Sequence, residues 1–350
     1  MELYSADIST VAIGGAQVPL EIDLTTYRAY NLNQSTIWKL GPLQFLAPAE
    51  RFPSQLIMMQ PYDPNRIPLV LVHGTFSSPV TWAEMGNTLT ADPRLLQKYQ
   101  IWAFMYGSGN PLIFSIGDLR KMLTAKVAEL DPAGTNAMLQ QMVVIGHSQG
   151  GLLTKTTAMD TGDQLWSMFT TNRLEDLKVS DEKRDELRRL MFIKPLPFVK
   201  RVVFISTPHR GSYLAGGFVR NLAHRFVSLP GAVLSTETQM LTLTEGSQFG
   251  AFIHGKMTTS LDGMSPKNPA LLAMAEVPVV PSVTAHSIVS IDGDDQPPKG
   301  GDGIVKYTSA HVDYVESEFI VRSFHTCLDH PATIEEVRRI LYLHLDELKK

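Results

Sequence analysis

The chain has 350 residues, 44% of them hydrophobic and 19% charged, a composition that excludes a disordered or fibrous protein and suffices to bury a sizeable core without staples. Its 31 basic and 35 acidic residues leave a formal net charge of −4, so no basic face is implied and nucleic acid is not an expected partner. Cys327 is the only cysteine, which rules out a disulfide within one molecule and says little about compartment.

No window approaches 18 consecutive apolar residues, so no membrane-spanning helix is expected. The start, Met1-Glu2-Leu3-Tyr4-Ser5, lacks the basic and apolar regions of a signal peptide; an export segment removed upstream of Met1 is compatible with it. Residues 1–66 read as an extended N-terminal arm with a few strands, the clearest at Gln55–Gln60, broken by Gly14-Gly15, Gly41-Pro42, Pro48 and Pro53.

From residue 67 to 350 a different pattern begins. Pro68–Val72 is a continuous apolar run, as expected of a parallel strand covered on both faces. Ile101–Tyr106 is a second strand, followed by a helix from about Ser115 to Leu130. Met142–Ile145 is a third, running into Gly146-His147-Ser148-Gln149-Gly150 and a helix to about Met159. Val202–Ile205, Ala285–Ile291 and Glu318–Val321 complete the strands, and a last helix spans about Pro331 to Leu348, with Pro in its first turn and Ile334, Val337, Leu341 and Leu345 on one face. Strands alternating with helices predict a mostly parallel α/β sheet. Residues 161–199 and 213–280 are too long for simple connections. They carry helical patterns such as Thr238 to Phe252, and are expected to form lid or cap insertions on the catalytic edge.

Gly-x-Ser-x-Gly alone is a weak pattern. Between a buried strand and a helix it has the strand–turn–helix setting of a nucleophile elbow, in which a strained sharp turn lifts the Ser148 hydroxyl clear of the sheet and small neighbours let strand and helix approach. The same turn aims the backbone N–H of Gln149 at a developing oxyanion. His73-Gly74-Thr75-Phe76, after the first buried strand, supplies the second N–H from Thr75, with Phe76 in reserve; His73 itself reads as structural. The base belongs between the last strand and the last helix, where His325 and His330 compete; His325 is closer to the strand end and His330 sits at the helix N-cap. The acid belongs after the strand ending near Ile291, and there Asp292, Asp294, Asp295 and Asp302 all qualify. A calcium loop fails at Gln296 and lacks its bidentate Glu, so no metal is expected.

Residues 68 to 348 resemble the bacterial lipase/esterase branch of the α/β-hydrolase superfamily, whose large members are often membrane-attached or exported. The resemblance rests on Leu71-Val72-His73-Gly74-Thr75, Gly146-His147-Ser148-Gln149-Gly150-Gly151, Ser206-Thr207-Pro208-His209-Arg210-Gly211-Ser212, Gly301-Asp302-Gly303-Ile304-Val305 and Ser323-Phe324-His325. It implies an α/β-hydrolase fold with helical lid insertions. It also selects Asp302 over Asp292 as the triad acid, because Asp-Gly-apolar-Val carries the acid in these lipases. The function expected is cofactor-free hydrolysis of a small-molecule or lipid-like ester through Ser148, His325 and Asp302. Leu-, Met- and Phe-rich insertions, such as Leu165–Phe169 and Leu229–Leu243, favour an apolar acyl group, extending from short and medium esters to insoluble triglycerides or polyesters and contact with a membrane or insoluble surface. A membrane-lipid deacylase or acyltransferase would use the same triad. A non-catalytic binding module would break it.

Overall fold

The structure, a computed structural model, describes residues 8, 10–20, 53–177, 179–212 and 260–349. Most of the predicted arm, and residues 213–259 of the second insertion with the runs Leu229–Leu243 and Thr238–Phe252, lie outside the described residues. Strands Thr10–Ile13 (β1) and Ala16–Pro19 (β2) pair with each other in a hairpin. The remaining described strands form one seven-stranded sheet: Gln55–Met58 (β3), Ile67–Val72 (β4), Tyr99–Met105 (β5), Met142–His147 (β6), Val199–Ile205 (β7), Thr284–Ser290 (β8) and Ser317–Val321 (β9), in the order β3-β5-β4-β6-β7-β8-β9. All neighbours run parallel except β3, which pairs antiparallel with β5 in a register setting Met58 opposite Trp102. The sheet thus takes its edge strand from the segment expected to be an arm.

The continuous apolar runs are explained by burial on both faces. Along β4, Val70 and Val72 enter one core with Trp102, Phe104, Val144 and Phe204, while Leu69 and Leu71 enter the other with Ile101, Ile145 and Val203. Each such side chain contributes about 1.5–3 kcal/mol on burial. The helix Leu112–Leu130, the helix Gln149–Lys155 and residues Leu165, Trp166, Leu187, Leu190 and Met191 of the first insertion cover the first face. The helices Ala83–Ala91 and Pro331–Glu347 cover the second. With helices on both faces of a parallel sheet and a sharp strand–turn–helix after β6, the architecture is the α/β-hydrolase fold. Among the described residues no helix is long and apolar enough to cross a membrane.

The helices depart from the sequence expectation in extent and in number. The helix after Ser148 ends at Lys155, not near Met159: the hydroxyls of Thr156 and Thr157 donate back to the carbonyls of Leu153 and Thr154, both at 2.7 Å, and such local bonding competes with helix continuation. The helix Pro93–Lys98 is additional to the expected elements; Asp92 starts it by accepting from the N–H groups of Arg94 and Leu95.

Strand order places the functional edge. The connection after β4 goes to β5 on one side, and β6 lies on the other side of β4. Such a switch opens a crevice at the carboxyl ends of the strands, where ligands of open α/β sheets bind. The loops after β4 and β6, carrying Thr75 and Ser148, flank it.

Burial also sets an acid limit on stability. Burial lowers the pKa values of His73 and His344 to about 4 and of His147 and His286 to about 3, with the Arg201 guanidinium adding to the effect at His286 and His344. These rings are neutral in the folded chain and take protons more readily once unfolded. Their contribution is therefore intact above about pH 6.5 and is lost as pH falls toward 4, at about 1.4 kcal/mol per pH unit for each group. Denaturant midpoints measured from pH 7 to pH 5, where carboxylates titrate little, should fall steeply. A flat profile across that interval would contradict this account.

Candidate active site

Ser148 stands between β6 and the helix Gln149–Lys155 at φ 54 and ψ −125, a conformation that costs a non-glycine residue about 1–3 kcal/mol. The ladder continues through the turn, since Ser148 N–H donates to the Ile205 carbonyl at 2.9 Å. The neighbouring glycines are explained by space. A Cβ on Gly74 would lie 2.8 Å from the Ser148 Cβ, one on Gly150 would strike the Val72 and His73 carbonyls, and one on Gly151 would strike the Thr207 side chain.

The structure brings Ser148, His325 and Asp302 into one chain. The ionised Asp302 only accepts, so His325 Nδ1–H donates to its Oδ2 at 2.7 Å; the Nε2 lone pair then faces Ser148 Oγ at 2.8 Å. Ser148, His325 and Asp302 are all buried. Burial pushes the Asp302 pKa up, but the hydrogen bond and charge of His325, with the N–H groups of Val305 and Ile304, outweigh it and hold the carboxyl below its usual range. The backbone locks the same geometry: His325 N–H donates to the Asp302 carbonyl at 3.1 Å, and the His325 carbonyl accepts from His147 Nε2–H at 2.9 Å.

The other candidates are placed elsewhere. Asp292 is exposed, with its N–H on the Gly301 carbonyl. His330 caps the last helix, its Nδ1 accepting from Ala332 N–H at 3.2 Å. His73 is buried, stacks on Tyr106 and donates from Nδ1 to the Gly74 carbonyl at 3.0 Å, in keeping with its structural reading. Among the described residues no three His, Cys, Asp or Glu side chains gather to hold a metal ion.

Thr75 and Gln149, whose N–H groups are the expected oxyanion donors, are joined through their side chains: Thr75 Oγ1–H donates to Gln149 Oε1 at 2.6 Å. That bond ties the loop after β4 to the first residue of the helix after β6. Phe76 follows at φ 55 and is 40% exposed. The Ser206–Ser212 block also gains a physical role. Arg210 N–H donates to the Ser309 carbonyl and hydroxyl, Ser212 Oγ to the Ile304 carbonyl at 3.0 Å, and Ser309 Oγ to the Gly211 carbonyl at 2.7 Å. The block therefore docks the loop that carries Asp302. Neither the Thr75–Gln149 bond nor this docking has a local sequence signal, because each joins residues far apart in the chain.

No protein-family model matches the sequence, and no curated protein matches it. Among solved structures the chain is similar to bacterial lipases and esterases of the α/β-hydrolase superfamily. The Staphylococcus hyicus lipase aligns with 14% identity and a TM-score of 0.47 over 83% of this chain and 96% of that one. The mature Bacillus licheniformis lipase aligns with 14% identity and a TM-score of 0.38 over 82% and 97%. A metagenomic carboxyl esterase aligns with 16% identity and a TM-score of 0.43 over 80% and 76%.

Proposed function

We propose that the chain is a serine carboxylic-ester hydrolase acting through an acyl-enzyme on Ser148. The observation that carries this is the continuous hydrogen-bond chain from Ser148 Oγ through His325 to Asp302 at a strained elbow. Ser148 Oγ attacks the ester carbonyl as His325 Nε2 takes its proton, while Asp302 holds the imidazole in the required tautomer and stabilises its charged form. The N–H groups of Gln149 and Thr75 receive the oxyanion, each worth about 2.7–4 kcal/mol. Collapse expels the alcohol, protonated by His325. Water, activated by the same nitrogen, then releases the acid.

For the substrate we propose an apolar acyl ester, short to medium in the first instance, with triglycerides or aliphatic polyesters as the insoluble extension. Apolar side chains of the insertions support this choice, and some of them enclose an apolar cavity of about 60 Å³ that no triad residue lines. The cavity lies between Leu112 and Ile116 of the helix after β5, Leu165 and Met191 of the first insertion, and Leu271 and Met274 of the second. In this reading the catalytic domain spans 67–350 and the lid is assigned to the second insertion, 213–280, because the first packs its apolar side chains on a face of the sheet.

A fluorophosphonate probe tests the reading whatever the natural ester is. One equivalent should bind and the mass shift should map to Ser148, with p-nitrophenyl esters from acetate to palmitate competing. Absence of labelling, or labelling at another serine, would sink it.

A further inference from the structure

Beyond His325, the hydrogen bonding at Asp302 continues into the core. Asp302 Oδ2, which takes His325 Nδ1–H, also accepts from Ser290 Oγ at 3.1 Å. Ser290 Oγ is bonded to Ser206 Oγ, and Ser206 Oγ lies 3.4 Å from Cys327 Sγ. Ser206, Ser290, Asp302 and Cys327 are all buried. They come from the ends of β7 and β8, the acid loop and the segment just after His325.

Counting hydrogens fixes the direction of the chain. An ionised carboxylate only accepts, so the single Ser290 hydrogen goes to Asp302; Ser206 must then donate to Ser290, which leaves Ser206 Oγ as an acceptor facing the Cys327 thiol. Burial pushes the Cys327 thiol pKa up, so it remains a neutral, weak donor at the end of the line. Backbone strain marks the same place. Ser206 holds φ 48 without being glycine, while its N–H donates to the Ile288 carbonyl at 2.9 Å. Left-handed backbone in a serine persists only where its surroundings over-determine it, and it concentrates at functional sites.

The two oxygens of Asp302 are held differently. Oδ1 accepts from the N–H groups of Ile304 and Val305 at 3.0 and 2.7 Å. On Oδ2, the oxygen that serves His325, Ser290 is the further donor among the described residues. We propose that Ser290 and Ser206, with Cys327 behind them, are positioning residues: a one-way donor chain that fixes Asp302 Oδ2 on the His325 Nδ1–H. The inference rests on the ester-hydrolase reading of the triad.

The test is a double-mutant cycle on p-nitrophenyl butyrate, with Ser290→Ala and Ser206→Ala made alone and combined with Asp302→Asn, and unfolding midpoints recorded for each. Loss of a hydrogen bond to a charged group should lower kcat by about tenfold in Ser290→Ala with KM little changed, and by about threefold in Ser206→Ala, one link further away. In the Asp302→Asn background neither change should cost more, because there is no carboxylate left to position. A folded Ser290→Ala protein with wild-type kcat would overturn the inference. So would an equal loss in both backgrounds, which marks packing alone. Should Ser290→Ala fail to fold, Ser206→Ala decides by the same criteria. Full activity of Asp302→Asn would instead bring down the acid assignment and this inference with it, whereas an inactive Asp302→Asn beside an unaffected Ser290→Ala overturns only the positioning chain.

Discussion

Replacing Ser148 by alanine should lower kcat on p-nitrophenyl butyrate by about 10⁵–10⁶-fold while leaving the folded protein and its ester binding largely intact. The large effect follows from what the hydroxyl does alone. In the proposed mechanism it is the atom that bonds to the acyl carbon, and among the described side chains none but Ser148 presents a hydroxyl to His325 Nε2. The small effect on folding follows from the backbone. Alanine at φ 54 bears the same strain as serine, and the Ser148 N–H bond to Ile205 does not involve the side chain. Residual turnover should come from the oxyanion donors and from binding. Steady-state rates with calorimetric unfolding on both proteins check the two halves together. Equal rates would end the serine mechanism, and a collapsed melting point would mean that the hydroxyl is structural.

Asp302→Asn should lower kcat by about 10⁴-fold, the size seen when a triad acid loses its charge but keeps its shape. The geometry gives the reason. The asparagine Oδ1 can keep the N–H bonds of Ile304 and Val305, which turns Nδ2–H toward His325. The imidazole must then accept at Nδ1 and carry its hydrogen on Nε2, so it meets Ser148 Oγ as a donor and cannot take its proton. The same Nδ2–H also faces Ser290 Oγ, which must turn to accept it and give its own hydrogen to Ser206. Asp292→Asn, on an exposed side chain, should leave the rate unchanged. Rates on the same ester separate the two, and a reversed pattern would move the acid to Asp292.

The contrast between these two aspartates shows where local sequence reading stops. Asp292 is nearer the end of β8 in the chain, but its N–H pairs with the Gly301 carbonyl. The intervening loop therefore closes on itself and returns the next residue, Asp302, to the strand end beside Ser290. Proximity along the chain misleads when a loop folds back. The parallel strands were legible because burial on both faces writes a continuous apolar run. The Ser148 turn was legible because its steric demands fall on adjacent glycines. The helix Ala83–Ala91 left a faint trace, with Met85 and Leu89 as its buried residues. The association of Ser206, Ser290 and Cys327 left none, since it depends on how the ends of β7 and β8 meet the last loop.

The bond between Thr75 and Gln149 makes one amino acid answer to two demands. Only the amide of residue 149 would face a reacting ester, and any residue carries that amide; the side chain meanwhile holds the opposite loop at a set distance. Substitution there would alter the width of the oxyanion pocket without removing a single donor from it. On the proposed mechanism, position 149 would thus govern how much the pocket must rearrange when charge develops, and a pocket that need not rearrange stabilises that charge most.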